Sequence, residues 1–228
     1  MLMRLLLSAT LATFAFAAGA QISPERFQAG THYFPIIPAQ PTTAAAGKVE
    51  VIEVFSYACI HCAHFNPLVE KWRKAMPANV SFSYLPAVFG RADWEVFARA
   101  YFAAEALGIA DKAHQDVFDG IWVRKNVKTM EDVAKVYAKY GKTEKQFTAA
   151  AKSFAMQAKI NRSKQQVPRY QVDGTPAVVV AGKYRVTGAS AGGLDKVFDV
   201  VNFLVAKEAA SKATAPAPAV PAAKPAEG

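Results

Sequence analysis

The sequence predicts an α/β protein in which an all-helical block interrupts a strand-based domain. Three observations lead to that class. Short stretches rich in β-branched and aromatic residues occur at Val49–Tyr57, Val80–Leu85 and Ala177–Val180. Between the second and third, residues 92–166 carry their apolar side chains at helical spacing. Strand chemistry then resumes, so the helices stand inside the strand-based unit rather than after it.

Taken in order, the chain opens with a charged residue, Arg4, an apolar run from Leu5 to about Phe16, and the small-x-small triplet Ala18-Gly19-Ala20. This reads as a signal peptide over residues 1–20, cleaved before Gln21. The run is shorter than the roughly 20 residues a membrane span needs, and no cysteine near the cleavage point offers a lipid anchor. No second long apolar run follows, so the mature chain is expected to be soluble, in an exported and disulfide-permissive compartment.

His32–Phe34 with Ile36 and Ile37 predicts a short edge strand bounded by Pro35 and Pro38. A loop over 39–47 leads to the central strand Val49–Tyr57. The period then changes from two to about 3.6, so a helix starts near Cys59 and carries Leu68, Val69, Trp72 and Met76. Pro67 is expected to kink that helix and Pro77 to end it. Val80–Leu85 follows as a strand. In the helical block, Phe97, Tyr101 and Leu107, then Val117, Phe118, Ile121 and Trp122, then Val133, Val136 and Tyr137, and finally Phe147, Phe154 and Ile160 keep core spacing. Gly108, Gly120, Asn126 and Gly141 break it. Ala177–Val180 and Tyr184–Val186 flank Ala181-Gly182-Lys183 as a hairpin. A last helix is expected over Ala191–Ala206, with Leu194, Val197, Phe198, Val201 and Leu204 on one face. The Ala/Pro-rich residues 209–228 read as an extended tail. The strand-based domain is thus 21–91 with 167–208, and the inserted helical domain 92–166.

Composition narrows the function. The 228 residues are 52% hydrophobic and 20% charged, which excludes wholesale disorder and a collagen-like chain. Removal of residues 1–20 takes out only one charge, Arg4, leaving +8 of the formal +9. The Lys and Arg residues are scattered along helical faces without interleaved aromatics, a solvated basic surface rather than a nucleic-acid site. The 2 cysteines are too few for a disulfide scaffold or a four-thiolate metal site.

Those two, Cys59 and Cys62, flank Ile60-His61 at the strand-to-helix junction. A bridge closing so small a loop would contribute only about 2 kcal/mol and staple nothing distant. A metal site built from Cys59, Cys62 and His61 or His64 lacks the second ligand pair that structural zinc requires. The third reading is a redox dithiol. Unpaired N–H groups and the dipole at a helix N-terminus favour a Cys59 thiolate. Cys62 lies one turn on, within bridging reach, and His61 can place a hydrogen bond or positive charge near the Cys59 sulfur. Stabilising the thiolate makes the disulfide a stronger oxidant. His32 and His114 suggest no role.

Phe55-Ser56-Tyr57-Ala58-Cys59-Ile60-His61-Cys62, followed far downstream by Gly174-Thr175-Pro176-Ala177, resembles the DsbA family of periplasmic thiol:disulfide oxidoreductases. The resemblance covers about Gly30 to Phe203 and includes the Gly-x-His-Tyr opening at Gly30–Tyr33. It implies a thioredoxin-like fold with the helical insertion, a periplasmic location and no cofactor. It implies that Cys59 forms the mixed disulfide with substrate and that Cys62 is the buried resolving thiol. Thr175-Pro176 is then a cis-proline loop facing the dithiol and offering backbone groups to a substrate peptide. Glu53, six residues before Cys59, matches a buried acid able to accept or relay protons. Reduced exported proteins are the implied substrates, a DsbB-like membrane oxidase the re-oxidising partner, and the monomer the implied state.

The sequence departs from the family pattern in three places. Val80–Leu85 lacks the lysine that pairs with the acid in some members. Ile60 replaces the common proline and relaxes the loop between the cysteines, and Pro67 resembles the kink proline of thioredoxins. The alternatives are a disulfide isomerase or reductase, whose usual dimerisation domain has no counterpart in residues 21–48, and a copper- or zinc-handling protein using Cys59, Cys62 and a histidine.

Overall fold

The computed structural model describes residues 26–214, with side chains to Ser211. The expected signal segment, and the tail beyond residue 214, lie outside the described residues.

Five strands form one sheet: β1 (Phe34–Pro35), β2 (Val49–Phe55), β3 (Val80–Pro86), β4 (Ala177–Val180) and β5 (Tyr184–Thr187), in the order β1-β5-β4-β2-β3. β2 pairs parallel with β3 and antiparallel with β4, while β1 pairs antiparallel with β5. The parallel pair needs a crossover, and α1 (Ile60–Ala75) supplies it.

All seven residues of β2 are buried because both sheet faces are covered. Val49, Val51 and Phe55 join the core shared with α1 and α8 (Val197–Thr214), whereas Ile52 and Val54 join a second core with Val167 and Tyr170 near the end of α6 (Phe154–Arg169). By the same alternation Glu53 points to the α1 side. α1 is locked to α8 by Phe198, stacked on both Phe65 (5.3 Å) and Trp72 (4.6 Å), and by Trp72 Nε1 donating to Asn202 Oδ1 at 2.9 Å. Such ring pairs contribute about 0.5–1.5 kcal/mol each beyond their buried area.

Between β3 and β4 come α2 (Ala92–Ala106), α3 (Ala110–Trp122), α4 (Met130–Ala138), α5 (Glu144–Ala151) and α6. Thr129 and Thr143 start α4 and α5 with capping boxes to Asp132 and Gln146. At the β4–β5 turn Gly182 has φ +64, and a Cβ there would sit 2.2 Å from the Gln40 carbonyl oxygen, so only glycine fits.

Several boundaries differ from expectation, three of them with a plain physical cause. Pro35 lies inside the edge strand instead of bounding it, which an unpaired outer edge permits. The single helix expected from Ala191 is divided into α7 (Gly188–Ala191), a 3₁₀ turn (Leu194–Lys196) and α8, because Gly192 (φ +84) and Gly193 (φ +147) leave the helical region. At the other end α8 continues past Ala206 and through the start of the expected tail to Thr214. Glu208, inside that extension, is buried and paired with Lys183.

Candidate active site

β2 ends at Phe55, and Ser56 makes the turn that follows: its carbonyl accepts from Cys59 N–H (3.1 Å) and its hydroxyl from Ala58 N–H (3.1 Å). Cys59 is thereby the N-cap of α1, and its carbonyl accepts from the N–H of Cys62 and of Ala63. No acidic residue occupies the first turn, so no carboxylate competes with a sulfur anion for the helix terminus.

Both cysteines are free thiols with contrasting surroundings. Hydrogen bonding from the Cys62 thiol is the largest influence on Cys59; with the Thr175 side chain and the N–H groups of Cys62 and His61 it outweighs burial and holds Cys59 down at about 5. Cys62 has no exposed surface. Burial, then the neighbouring Cys59 and Glu53, push it well above an ordinary thiol. At neutral pH the pair is one thiolate and one thiol.

Thr175 reaches Cys59 from the far side of the helical block. The Cys59 Sγ donates to its carbonyl oxygen at 3.4 Å, and the Thr175–Pro176 peptide bond is cis. Among the described residues the Thr175 hydroxyl is buried without another partner, which leaves it available to the thiolate. Beside this loop lies a mainly apolar cavity of about 620 Å³ lined by His61, Thr175, Pro176, Gly188 and Leu194, among others. The His61 ring is exposed on its wall and makes no hydrogen bond to Cys59 among the described residues; the His61 main-chain N–H serves the sulfur instead.

Glu53 is 1% exposed, beneath the dithiol on the α1 face of β2. Burial, then Glu70, raises its carboxyl to about 8, with Arg73 partly opposing. Its register partner on β3 is Tyr84. The Tyr84 hydroxyl donates to Glu70 Oε1 at 3.1 Å, and Arg73 Nη1 lies 2.9 Å from the same oxygen. The cation near Glu53 therefore comes from α1, not from the adjacent strand.

One histidine that suggested no role is central to the packing. His114 on α3 is buried among Phe55, Tyr57, Tyr84 and Phe118, with its Nδ1 2.8 Å from the Tyr57 hydroxyl. Its position on the apolar stripe Ala110–Ala113–Val117 was the available signal.

The model of the DSBA-like thioredoxin domain matches residues 50–192. The thiol:disulfide interchange protein DsbA of Burkholderia cepacia is 38% identical over 205 residues, covering 89% of this chain and 96% of the relative. This chain belongs to the DsbA family. The DsbA of Azotobacter vinelandii is 35% identical over 210 residues, 90% of this chain and 97% of its own. The crystal structure of Pseudomonas aeruginosa DsbA aligns with a TM-score of 0.76 at 33% identity, over 82% of this chain and 97% of that one. Reduced DsbA1 from Neisseria meningitidis aligns at 0.70 and 28% identity, over 84% and 100%. The thioredoxin-like fold and thiol:disulfide oxidoreductase class expected from the sequence are those of the DsbA family.

Proposed function

We propose that this DsbA-family chain is a dithiol oxidase that donates a Cys59–Cys62 disulfide to reduced exported proteins in the periplasm. The carrying observation is the asymmetry of the pair: Cys59 at a helix N-cap, held as a thiolate and facing Thr175, against Cys62 fully buried and held as a thiol. A stable Cys59 thiolate favours the reduced enzyme, and so makes its disulfide oxidising.

In the first step a substrate thiolate attacks the Cys59 sulfur and the S–S bond to Cys62 breaks. Cys62 leaves as a thiolate and takes the proton of Glu53, whose raised carboxyl is an acid strong enough to supply it near neutrality. A second substrate thiolate then attacks the substrate-side sulfur, forming the substrate disulfide and releasing Cys59 as a thiolate. The substrate is oxidised by two electrons and the enzyme reduced by two. Thr175 and Pro176, together with His61, border the apolar cavity that receives the extended substrate segment. Re-oxidation falls to a DsbB-like membrane oxidase, with Glu53 now accepting the Cys62 proton. Residues 1–20 direct export, and the enzyme works as a monomer without a cofactor.

The test is stoichiometric oxidation of a reduced model protein by the oxidised enzyme. Cys59→Ser should abolish it. Full activity in that variant would overturn the reading, and tight stoichiometric metal in protein purified without chelator would favour metal handling.

A further inference from the structure

Helix α3 holds the redox motif by both flanks. Two residues before Cys59, the Tyr57 hydroxyl meets His114 Nδ1 at 2.8 Å, and Trp122 Nε1 donates to the Tyr57 carbonyl at 2.9 Å. Four residues after Cys62, Asn66 Nδ2 donates to Gln115 Oε1 at 2.7 Å, and Gln115 Nε2 donates in turn to Asp119 Oδ1 at 2.7 Å. His114 and Gln115 are consecutive, so one turn of the inserted helix grips the chain where it enters the motif and where it leaves. Tyr57, His114 and Asn66 are each 1% exposed. The Tyr137 hydroxyl on α4, 3.1 Å from that of Tyr57, extends the same anchor.

Apart from the Thr175 hydroxyl, the groups that stabilise the Cys59 sulfur lie within one turn: the Cys62 thiol and the N–H groups of His61 and Cys62. Their aim depends on the path of residues 57–66. In the oxidised enzyme the S–S bond itself fixes the separation of Cys59 and Cys62. In the reduced enzyme no covalent bond does, and the flanking hydrogen bonds carry that task. Donors held in place before charge develops on an atom stabilise it without reorganisation.

We propose that α3, through His114, Gln115 and Trp122, is the positioning element of the dithiol, and that its grip on Tyr57 and Asn66 strengthens the oxidising power of the disulfide by ordering the reduced motif. None of the three is a catalytic residue: each acts through a residue flanking the cysteines. The inference rests on Cys59 being the stabilised thiolate. Failure of that reading appears in the unsubstituted protein, as the absence of an acid-shifted thiolate titration.

The experiment compares full-length Gln115→Leu, Trp122→Phe and His114→Leu with the unsubstituted enzyme. It reads the equilibrium with glutathione, the thiolate absorbance against pH, and the unfolding midpoints of both redox forms. Loss of one such hydrogen bond should shift the equilibrium toward the disulfide by about 3- to 10-fold. The Cys59 titration should move up, and the reduced form should lose more stability than the oxidised form. His114→Asn, which keeps a group able to bond the Tyr57 hydroxyl, should recover most of the shift. Thr143→Ala, which opens the α5 capping box in the same helical block, should lower both forms alike and leave the equilibrium unmoved. If His114→Leu does not fold, Gln115→Leu and Trp122→Phe decide. Equal stability loss in both redox forms, with equilibrium and titration unchanged, would overturn the proposal.

Discussion

The Cys59 sulfur lies 3.4 Å from the main-chain oxygen of Thr175, 116 positions further along the chain. The contact joins the two parts of the sheet domain that the helical block separates, and its meaning changes with charge. A thiol donates to that carbonyl. A thiolate cannot, and draws instead on the Thr175 hydroxyl, which has no other partner among the described residues. Thr175→Val keeps the carbonyl and the side-chain volume but removes the hydroxyl. The Cys59 titration midpoint should therefore rise above about 5, and the glutathione equilibrium should move toward the disulfide. An unchanged midpoint in the ultraviolet titration would refute the hydroxyl's part.

The same thiolate makes reduced-state stability depend on pH. Its folded value of about 5 lies below the free-thiol value of 9.0. The stabilisation is therefore complete above about 9 and is lost as pH falls through about 5. The disulfide form has no Cys59 proton to bind and lacks this dependence. Denaturant unfolding of both forms across that range should show the reduced form gaining on the oxidised form as pH rises. Parallel profiles would contradict it.

Glu53 has the opposite sign. Its folded value, raised from 4.5 to about 8, means that its contribution is best below 4.5 and is lost as pH rises through 8. At pH 7 the buried carboxyl costs on the order of 3 kcal/mol. Glu53→Gln should raise the unfolding midpoint at neutral pH and lose that advantage near pH 4. It should also slow the step in which Cys62 takes up or gives up a proton. A raised midpoint without slower exchange would reduce Glu53 to a structural group.

Elements with a local cause were legible in the sequence. The Cys59–Cys62 spacing, the change of period at the helix start and the Ala181-Gly182-Lys183 turn each depend on residues a few positions apart. Gly192-Gly193 was also local evidence, of a break that the apolar face of the last helix outweighed. What stayed hidden depends on distant partners. Tyr57 and His114 stand 57 positions apart, and Asn66 and Gln115 49. Only the tertiary packing of α3 on the β2–α1 junction turns an ordinary helical histidine into a buried anchor. Likewise, the strand sequence shows the missing lysine near Glu53, but not that Arg73 on α1 supplies a charge there.

His114 makes the native state sensitive to acid. Burial, with Arg73 nearby, lowers the imidazole from 6.5 to about 3. Stability is full above 6.5 and declines as pH falls toward 3, because the unfolded chain takes up a proton that the folded one resists. The full loss is on the order of 3–5 kcal/mol. Both redox forms should show it, which separates it from the Cys59 effect. His114→Asn should flatten that part of the profile in unfolding measurements between pH 6.5 and 3.

The C-terminal extension of α8 yields an asymmetric prediction. Lys183 Nζ, at the β4–β5 turn, lies 2.7 Å from Glu208 Oε2; the glutamate side chain is 3% exposed and the lysine 46%. Lys183→Met leaves a buried carboxylate without its cation, a change that costs about 2–3 kcal/mol when the partner is partly solvated. Glu208→Gln leaves a lysine whose ammonium water can still reach, and the new amide can still hydrogen-bond, so its cost should stay below about 1 kcal/mol. Urea unfolding midpoints should therefore fall further for the lysine substitution than for the glutamate one. The reverse order would mean that packing of the Glu208 stem, rather than its charge, holds the last turns of α8 against the hairpin.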